Sequence, residues 1–191
     1  MLVGQDSART DGSASAYTST ATPYDALIQD GITAKIWDTP GLDGTGRTAA
    51  DLWNVPAILS DINEISVIIF CHGTMCGRIN KDVVEAFRIL TSFFGKEGVS
   101  VALVVTGLEL RENKEAWWSE NQAHIKAMGM NFDHHACITS IKGGQAYEDS
   151  ADVVRAMLLR CLAEAKPARA LDIKRRIQQD SQTSCLSRLF G

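Results

Sequence analysis

The spacing of apolar residues along the chain predicts strands that alternate with helices. Residues 66–71 and 99–106 are apolar at nearly every position, as expected of strands that are buried on both faces. After the first of these runs, apolar residues recur every three or four positions from about Lys81, which is the period of an amphipathic helix. This order predicts an α/β fold in which a mostly parallel sheet lies between two layers of helices.

Turn and capping residues divide the rest of the chain. Asp30 and Gly31 separate two short apolar stretches, so residues 24–28 and 32–37 are predicted to pair as a hairpin. The other predicted elements are a helix capped by Asn54 with Pro56 in its first turn, a helix from Lys81 ended by Gly95 and Gly98, a helix from the cap Asn113 to Met128, a strand over 136–140, and a helix capped by Ser150 and ended by Pro167. The last helix is predicted to turn Val153, Val154, Met157, Leu158, Cys161 and Leu162 inward.

Composition narrows the class of protein. The 191 residues suit one domain, and 45% hydrophobic and 22% charged residues are ordinary globular values. The net charge of −4 does not favour nucleic-acid binding. No apolar stretch reaches the roughly 18 residues of a membrane span, and the first residues do not have the pattern of a secretory signal. Five cysteines without framework spacing indicate a reducing, cytoplasmic environment.

Three polar segments follow predicted parallel strands, and each contains residues suited to a nucleotide. Asp38 and Gly41 form an Asp-x-x-Gly sequence directly after an apolar strand. Such a carboxylate can hold the water shell of Mg²⁺, and such a glycine lets a backbone N–H approach a phosphate. Residues 106–109 and 140–143 follow two later strands. Ligands bind beyond the carboxyl ends of parallel strands, so these segments are predicted to share one site.

Taken in order, the segments IWDTPGLDG, VVTGLE and HACITSIKG resemble the P-loop GTPase superfamily. Within it, the chain is similar to fungal G domain-containing proteins that are akin to the immune-associated GTPases of plants and animals. The resemblance implies a partial G domain over residues 24–166, a mobile switch segment over 1–23 and a tail over 167–191. It also implies GTP or GDP with Mg²⁺ as ligands, and another G domain or an effector protein as a partner.

The resemblance also implies roles for particular residues. Asp38 and Thr18 would hold Mg²⁺, and Gly41 would contact the γ-phosphate. Thr106 begins the segment in which Glu109 stands where an aspartate normally reads the guanine base. Ser140 and Lys142 match the Ser-x-Lys sequence that contacts the same base. No catalytic residue is assigned.

The chain departs from the family pattern in several places. The phosphate-binding GxxxxGK[ST] sequence is absent, as is the first strand, which in this fold lies in mid-sheet; strand, loop and helix together amount to about 30 residues. Gly107 replaces the lysine that stacks on the base. Leu42 replaces a glutamine that orients water, so hydrolysis is expected to be slow. Either the sequence is a truncated G domain, which is the interpretation favoured here, or it is a degenerate paralogue.

Two functions therefore remain open at this point. One is a guanine-nucleotide-binding switch with slow GTP hydrolysis, and the other is a nucleotide-free pseudo-GTPase that acts as an interaction module. Trp117 and Trp118 are expected to pack a helix on the sheet. Cysteines and histidines at 71, 72, 76, 134, 135 and 137 match no zinc spacing, and the thiols of Cys71 and Cys137 are expected to be buried and inert.

Overall fold

The computed structural model describes Leu2 and residues 21–39, 62–74, 78–94, 98–166 and 168–169. The predicted helix at Asn54 and Pro56 lies outside these residues. The described elements, in chain order, are β1 (Thr22–Gln29), β2 (Ile32–Asp38), β3 (Glu64–Ile65), β4 (Val67–Gly73), α1 (Lys81–Phe94), β5 (Ser100–Thr106), α2 (Ala116–Ala127), β6 (His134–Cys137), α3 (Gln145–Glu164) and β7 (Ala168–Arg169).

A three-stranded parallel sheet in the order β4-β5-β6 forms the centre of the fold. In β5 the side chains alternate between two apolar clusters. The α3-side cluster contains Ala102 and Val104 together with the inner face of α3. The α1–α2-side cluster contains Val101, Leu103 and Val105 together with residues of α1 and α2. The prediction of an α/β fold with a parallel sheet and helices on both faces is confirmed.

Helix α1 follows the predicted pattern closely. The Asn80 side-chain oxygen accepts the Val83 backbone N–H at 2.9 Å and caps the first turn. Phe87 and Phe94 are buried, and Val83 and Leu90 pack beside them. The apolar residues whose spacing predicted the helix are therefore the same residues that pack it against β5.

Strands β1 and β2 form the predicted antiparallel hairpin. Gly31 has φ +77°, a conformation that side-chain-bearing residues rarely adopt, and it closes the turn. Ala26 and Ile28 of β1 are buried in the α3-side cluster. Exposed Lys35 and Asp25 pair across the strands at 2.8 Å. The hairpin therefore joins the core through its apolar side chains.

Among the described residues, the hairpin shares no ladder hydrogen bonds with the central sheet. It nevertheless contacts apolar residues on both sides of that sheet. Ala34 and Ile36 of β2 pack on the α3-side cluster. Trp37 packs on a third group, the lower cluster, formed by Ile62, Phe94 and Val99 with Ile65, Ile68 and Leu90. Strand β2 thus borders the apolar layers above and below the sheet without pairing with β4.

Two predicted helix starts were wrong. Helix α2 begins at Ala116 rather than after Asn113, because the preceding residues form a turn in which Trp117 N–H donates to the Lys114 carbonyl at 3.1 Å. Helix α3 begins at Gln145, after Gly144 with φ +85°. Its first turn is polar and exposed, so the apolar period becomes visible only near Ser150, which is buried inside the helix and does not cap it.

The last strand of the sheet was also misplaced. Strand β6 covers His134–Cys137, not 136–140. Its pairing with β5 ends with the bond from Ile138 N–H to the Val105 carbonyl at 2.9 Å, and the following residues turn away as a loop. Each of the two histidines that begin the strand has a carboxylate partner, Glu164 of α3 for His134 and Glu115, the residue before α2, for His135.

Two further observations concern the last described strand and the lengths of the helices. Residues Ala168 and Arg169 of β7 pair antiparallel with β3, so the first residues of the predicted tail join the structure just before β4. None of the helices among the described residues has the combination of length and apolar composition needed to cross a bilayer.

Candidate functional site

Glu109 and Ser140 meet where the carboxyl ends of β5 and β6 lie side by side. The Glu109 Oε1 atom accepts the Ser140 backbone N–H at 2.9 Å and the Ser140 hydroxyl at 3.2 Å. It also accepts the Thr139 hydroxyl at 3.2 Å. Two segments that are 31 residues apart in sequence are thereby joined through one carboxylate oxygen.

These donors stabilise the charged form of the carboxylate. The Ser140 backbone N–H, the backbone N–H of Glu109 itself and the two hydroxyls lower the pKa of the Glu109 carboxyl from its ordinary value of 4.5, against a smaller opposing effect of burial. Glu109 is consequently an anion at neutral pH. The donors from Thr139 and Ser140 all bind Oε1, so Oε2 is the oxygen on which a ligand N–H could bind.

A buried bridge holds the β6 side of this site. Ser150 is 3% exposed, and its hydroxyl accepts the Thr139 N–H at 3.2 Å while donating to the Ala146 carbonyl at 2.7 Å. The Thr139 hydroxyl in turn accepts the Ile141 N–H at 3.3 Å. The loop after β6 is therefore tied to the first turns of α3, and Ser140 is held beside Glu109.

The β5 side of the site is shaped by Gly107. Thr106 ends β5 opposite Gly73 of β4, and Gly107 follows with φ +80°, which turns the chain out of the sheet. The Thr74 hydroxyl donates to the Gly107 carbonyl at 2.7 Å and secures the turn. Leu108 is 2% exposed and anchors the segment in the core, which leaves Glu109 at the surface. A glycine suits this position because the backbone there needs positive φ.

Asp38 lies at the end of β2, on the side of the hairpin that approaches β4. It is exposed, and its charge contributes, after burial, to raising the pKa of the Cys71 thiol in β4. Cys71 stands opposite Val104 in the sheet register, close to the carboxyl end of β5. The carboxylate of Asp38 is therefore near the carboxyl end of β4.

The remaining predicted site residues are either exposed or lie outside the described part of the chain. Lys142 is exposed on the loop after Ser140. Next to the Glu109–Ser140 pair, Leu110 is fully exposed and Ile141 is 63% exposed. Thr18 and Gly41 lie outside the described residues, as does Leu42. Within the part of the chain that the structure describes, no three His, Cys, Asp or Glu side chains could hold a metal ion together.

Histidine–tryptophan contacts pack α2 on the sheet. The Trp118 ring stacks on His135 with centroids 4.3 Å apart, and His135 Nε2 also contacts the Glu115 carboxylate. Trp117 lies 5.8 Å from the His72 ring. On the opposite face of β6, His134 Nε2 is 3.1 Å from Glu164 at the end of α3. The prediction that the tryptophans pack a helix on the sheet is confirmed.

The described cysteines differ in environment. Cys137 is buried, and burial, followed by the charge of Glu115, raises the pKa of its thiol to about 11. Burial also raises the pKa of the Cys161 thiol. Cys71, however, is exposed to solvent, so the prediction that it is buried was wrong; it stands on β4, which pairs with β5 on only one edge among the described residues.

Sequence reasoning missed three residues that shape the site. Thr139 binds Glu109 directly, Ser150 supports Thr139, and Thr74 holds Gly107. Thr139 adjoins a residue that was identified, and a polar residue at the end of a buried strand is a usable signal. Ser150 resembled a helix cap in the sequence. Only the structure, in which it lies buried inside α3, shows that it supports Thr139.

Comparison with protein-family models, with curated proteins and with solved structures returned no match. The resemblance to P-loop GTPases therefore remains a hypothesis that depends on the residues themselves.

Proposed function

We propose that this chain is a guanine-nucleotide-binding switch domain. The observation that carries the proposal is the Glu109–Ser140 pair: an ionised carboxylate beside a hydroxyl, at the carboxyl ends of two adjacent parallel strands. A guanine base presents N–H donors on one edge and a carbonyl acceptor nearby. Glu109 Oε2 suits the donors, and the Ser140 hydroxyl suits the acceptor once its own proton is released from Glu109.

The ligand would be GTP or GDP. The structure gives less support to the phosphate end, since Asp38 is the only member of the proposed Mg²⁺ set among the described residues. We therefore derive no chemical step through Mg²⁺, and hydrolysis is proposed to be slow. A reducing, cytoplasmic location forms part of the same proposal.

The experiment is a titration of the protein with a fluorescent GTP analogue, with and without Mg²⁺, and with unlabelled GTP and ATP as competitors. Glu109→Ala is expected to weaken binding at least about tenfold, since it removes an ionic hydrogen-bond acceptor. Glu112→Ala, an exposed glutamate in the same loop, is the matched control and is expected to bind as the wild type does. Absence of binding at millimolar analogue would reject the proposal.

A second function, a nucleotide-free interaction module that binds another G domain or an effector protein, is favoured by one observation. Glu109 Oε1 already receives three hydrogen bonds from within the protein. A carboxylate satisfied in this way does not require a base to stabilise it. If this second function is correct, the loops at the site form a rigid surface that binds a protein. The titration described above would then detect no binding of the nucleotide.

A further inference from the structure

Thr74 connects β4 to the chain that leaves β5, one residue beyond the backbone ladder. The last pair of that ladder is Gly73 with Thr106. Gly107 follows with φ +80° and leaves the sheet, so the regular pairing of the strands ends there. The half-buried Thr74 hydroxyl donates to the Gly107 carbonyl at 2.7 Å. A side-chain hydrogen bond thus extends the connection between the two strands past the end of the sheet.

This hydrogen bond orients the peptide that joins Gly107 to Leu108. Glycine has more backbone freedom than any other residue, so the peptide that follows it can rotate unless a bond holds it. The Leu108 side chain is buried and anchors its own residue in the core. The direction of the preceding carbonyl depends instead on the hydrogen bond that this carbonyl accepts, and its donor is Thr74.

Glu109 lies in a tight turn directly after this peptide. The Arg111 N–H donates to the Leu108 carbonyl at 3.1 Å, so Glu109 is one of the two central residues of the turn. Rotation of the peptide after Gly107 would tilt the turn and move the Glu109 carboxylate away from Ser140. The three hydrogen bonds that Oε1 accepts, at 2.9 to 3.2 Å, do not survive a displacement of more than a few tenths of an ångström.

The far end of the turn is held less firmly than the near end. The Arg111 Nη1 atom lies 2.9 Å from the Glu120 carboxylate of α2, but the two side chains are 39% and 55% exposed. An ion pair in contact with water contributes little to stability, whereas the hydrogen bond from Thr74 to Gly107 is partly shielded from solvent. Thr74 therefore restrains the position of Glu109 more strongly than the ion pair does.

We infer that Thr74 is a positioning residue for the candidate site: its hydrogen bond to Gly107 holds the Glu109 carboxylate against Ser140, so the residue that follows β4 regulates binding at the ends of β5 and β6. The positioning of Glu109 is a property of the protein without ligand. Its effect on nucleotide affinity rests on the proposed function. The two parts are therefore measured separately.

The first measurement is an NMR titration of the Glu109 carboxyl in the whole protein. The Ser140 N–H, followed by the other donors, lowers the pKa of this carboxyl. Thr74→Val removes the hydroxyl and keeps the shape of the side chain, so the pKa of Glu109 should rise towards its ordinary value of 4.5. Thr74→Ser keeps the hydroxyl, and its Glu109 should titrate as in the wild type.

Thr91→Val is the matched control. The Thr91 hydroxyl also donates to a backbone carbonyl, that of Phe87 at 2.8 Å, and it is also half-buried. It lies in α1 beside the amino end of β5, at the opposite end of that strand from Gly107. Loss of this hydroxyl should leave the titration of Glu109 unchanged, whereas an equal change would overturn the inference.

The second measurement is the titration with the fluorescent GTP analogue. Thr74→Val should bind the analogue about fivefold more weakly, the effect of one lost hydrogen bond, while Thr74→Ser and Thr91→Val should bind as the wild type does. Unchanged amide exchange in β4 and β5 verifies the fold of each variant. Thr74→Ala, which is smaller, replaces the valine variant if valine disturbs β4.

The outcomes separate this inference from the proposed function. A folded Thr74→Val or Thr74→Ala variant in which Glu109 titrates as in the wild type overturns the inference. Wild-type affinity for the analogue in such a variant also overturns it. A wild-type protein that binds no nucleotide rejects the proposed function, and the titration of Glu109 then still decides whether Thr74 positions it.

Discussion

The Glu109 carboxylate accepts the backbone N–H of Ser140 at 2.9 Å and thereby joins the loop after β5 to the loop after β6. Because the donors come from the protein itself, the arrangement is a structural contact as well as a candidate ligand site. Its contribution to stability can therefore be measured separately from any ligand.

The pH dependence of this contact has a defined sign. The pKa of Glu109 is lower in the folded protein than its ordinary value of 4.5, so its stabilisation is complete above that value and is lost as pH falls through the lowered pKa. Glu109→Gln should reduce the unfolding free energy at pH 7 by at most about 1 kcal/mol, given the solvent exposure. Urea unfolding at several pH values should show the difference disappearing in strong acid; a difference that grows there would contradict the assignment.

The buried Ser150 bridge should matter more for stability. Ser150→Ala leaves the Thr139 N–H without its acceptor at a site where water has little access, which costs about 1–3 kcal/mol. Urea unfolding measures the loss. Ser119→Ala, in an exposed part of α2, is the control and should change stability by less than about 0.5 kcal/mol. Equal effects of the two variants would show that the bridge is not specific.

The stacked pair of His135 and Trp118 should stabilise the packing of α2. His135→Ala removes the ring contact and the Glu115 contact together, and we expect a loss of about 1–2 kcal/mol. Thermal unfolding monitored by circular dichroism measures it. His124→Ala, at an exposed position on the same helix, should leave the Tm unchanged. A His135→Ala variant as stable as the wild type would contradict this prediction.

Thiol reactivity should follow burial. A pKa of about 11 for Cys137, against the ordinary 9.0, reduces its thiolate fraction near pH 8 about 100-fold. Iodoacetamide labelling of the folded protein, read by peptide mass spectrometry, should therefore modify Cys71 well before Cys137 or Cys161. Labelling in urea, where all thiols are exposed, provides the reference; a Cys137 that reacts first in the folded protein would refute the assignment.

The hairpin turn depends on the backbone at Gly31. An added Cβ would meet nothing within 4 Å, so the cost of Gly31→Ala comes from positive φ alone, about 1 kcal/mol. Gly31→Asn should cost less, because asparagine tolerates this conformation better. Urea unfolding of the two variants compares them, and an alanine variant as stable as the asparagine one would show that the turn rearranges.

Sequence patterns were sufficient to predict an element where the residues that give the apolar period are also the residues buried in the core. Helix α1 and strand β5 appeared with their inward faces because their apolar residues are also their core residues. The hairpin was found from Asp30 and Gly31, since a turn signal between apolar stretches is local information.

The errors share a physical cause: contacts with other elements of the fold determine where these residues lie, and the local sequence pattern does not contain those contacts. His134 and His135 did not look like strand residues, yet a glutamate on each side of the sheet accommodates them. Val153 was expected to face inward but is 43% exposed, because it lies off the buried stripe of α3 that passes through Val154, Met157 and Cys161. The contact of Glu109 with Thr139 could not be foreseen, because it joins loops whose relative position only the fold determines.

The complete burial of β5 has a consequence for synthesis in the cell. Its apolar run is a segment of high β-propensity without charge, the composition that favours aggregation when exposed. Its neighbour β6 is translated about thirty residues later, and parallel pairing over such a separation is slow. While α2 emerges from the ribosome, β4 and α1 can already cover one edge and one face of this segment, but its edge towards β6 and its face towards α3 still lack their partners. Chaperone demand during translation should therefore centre on β5.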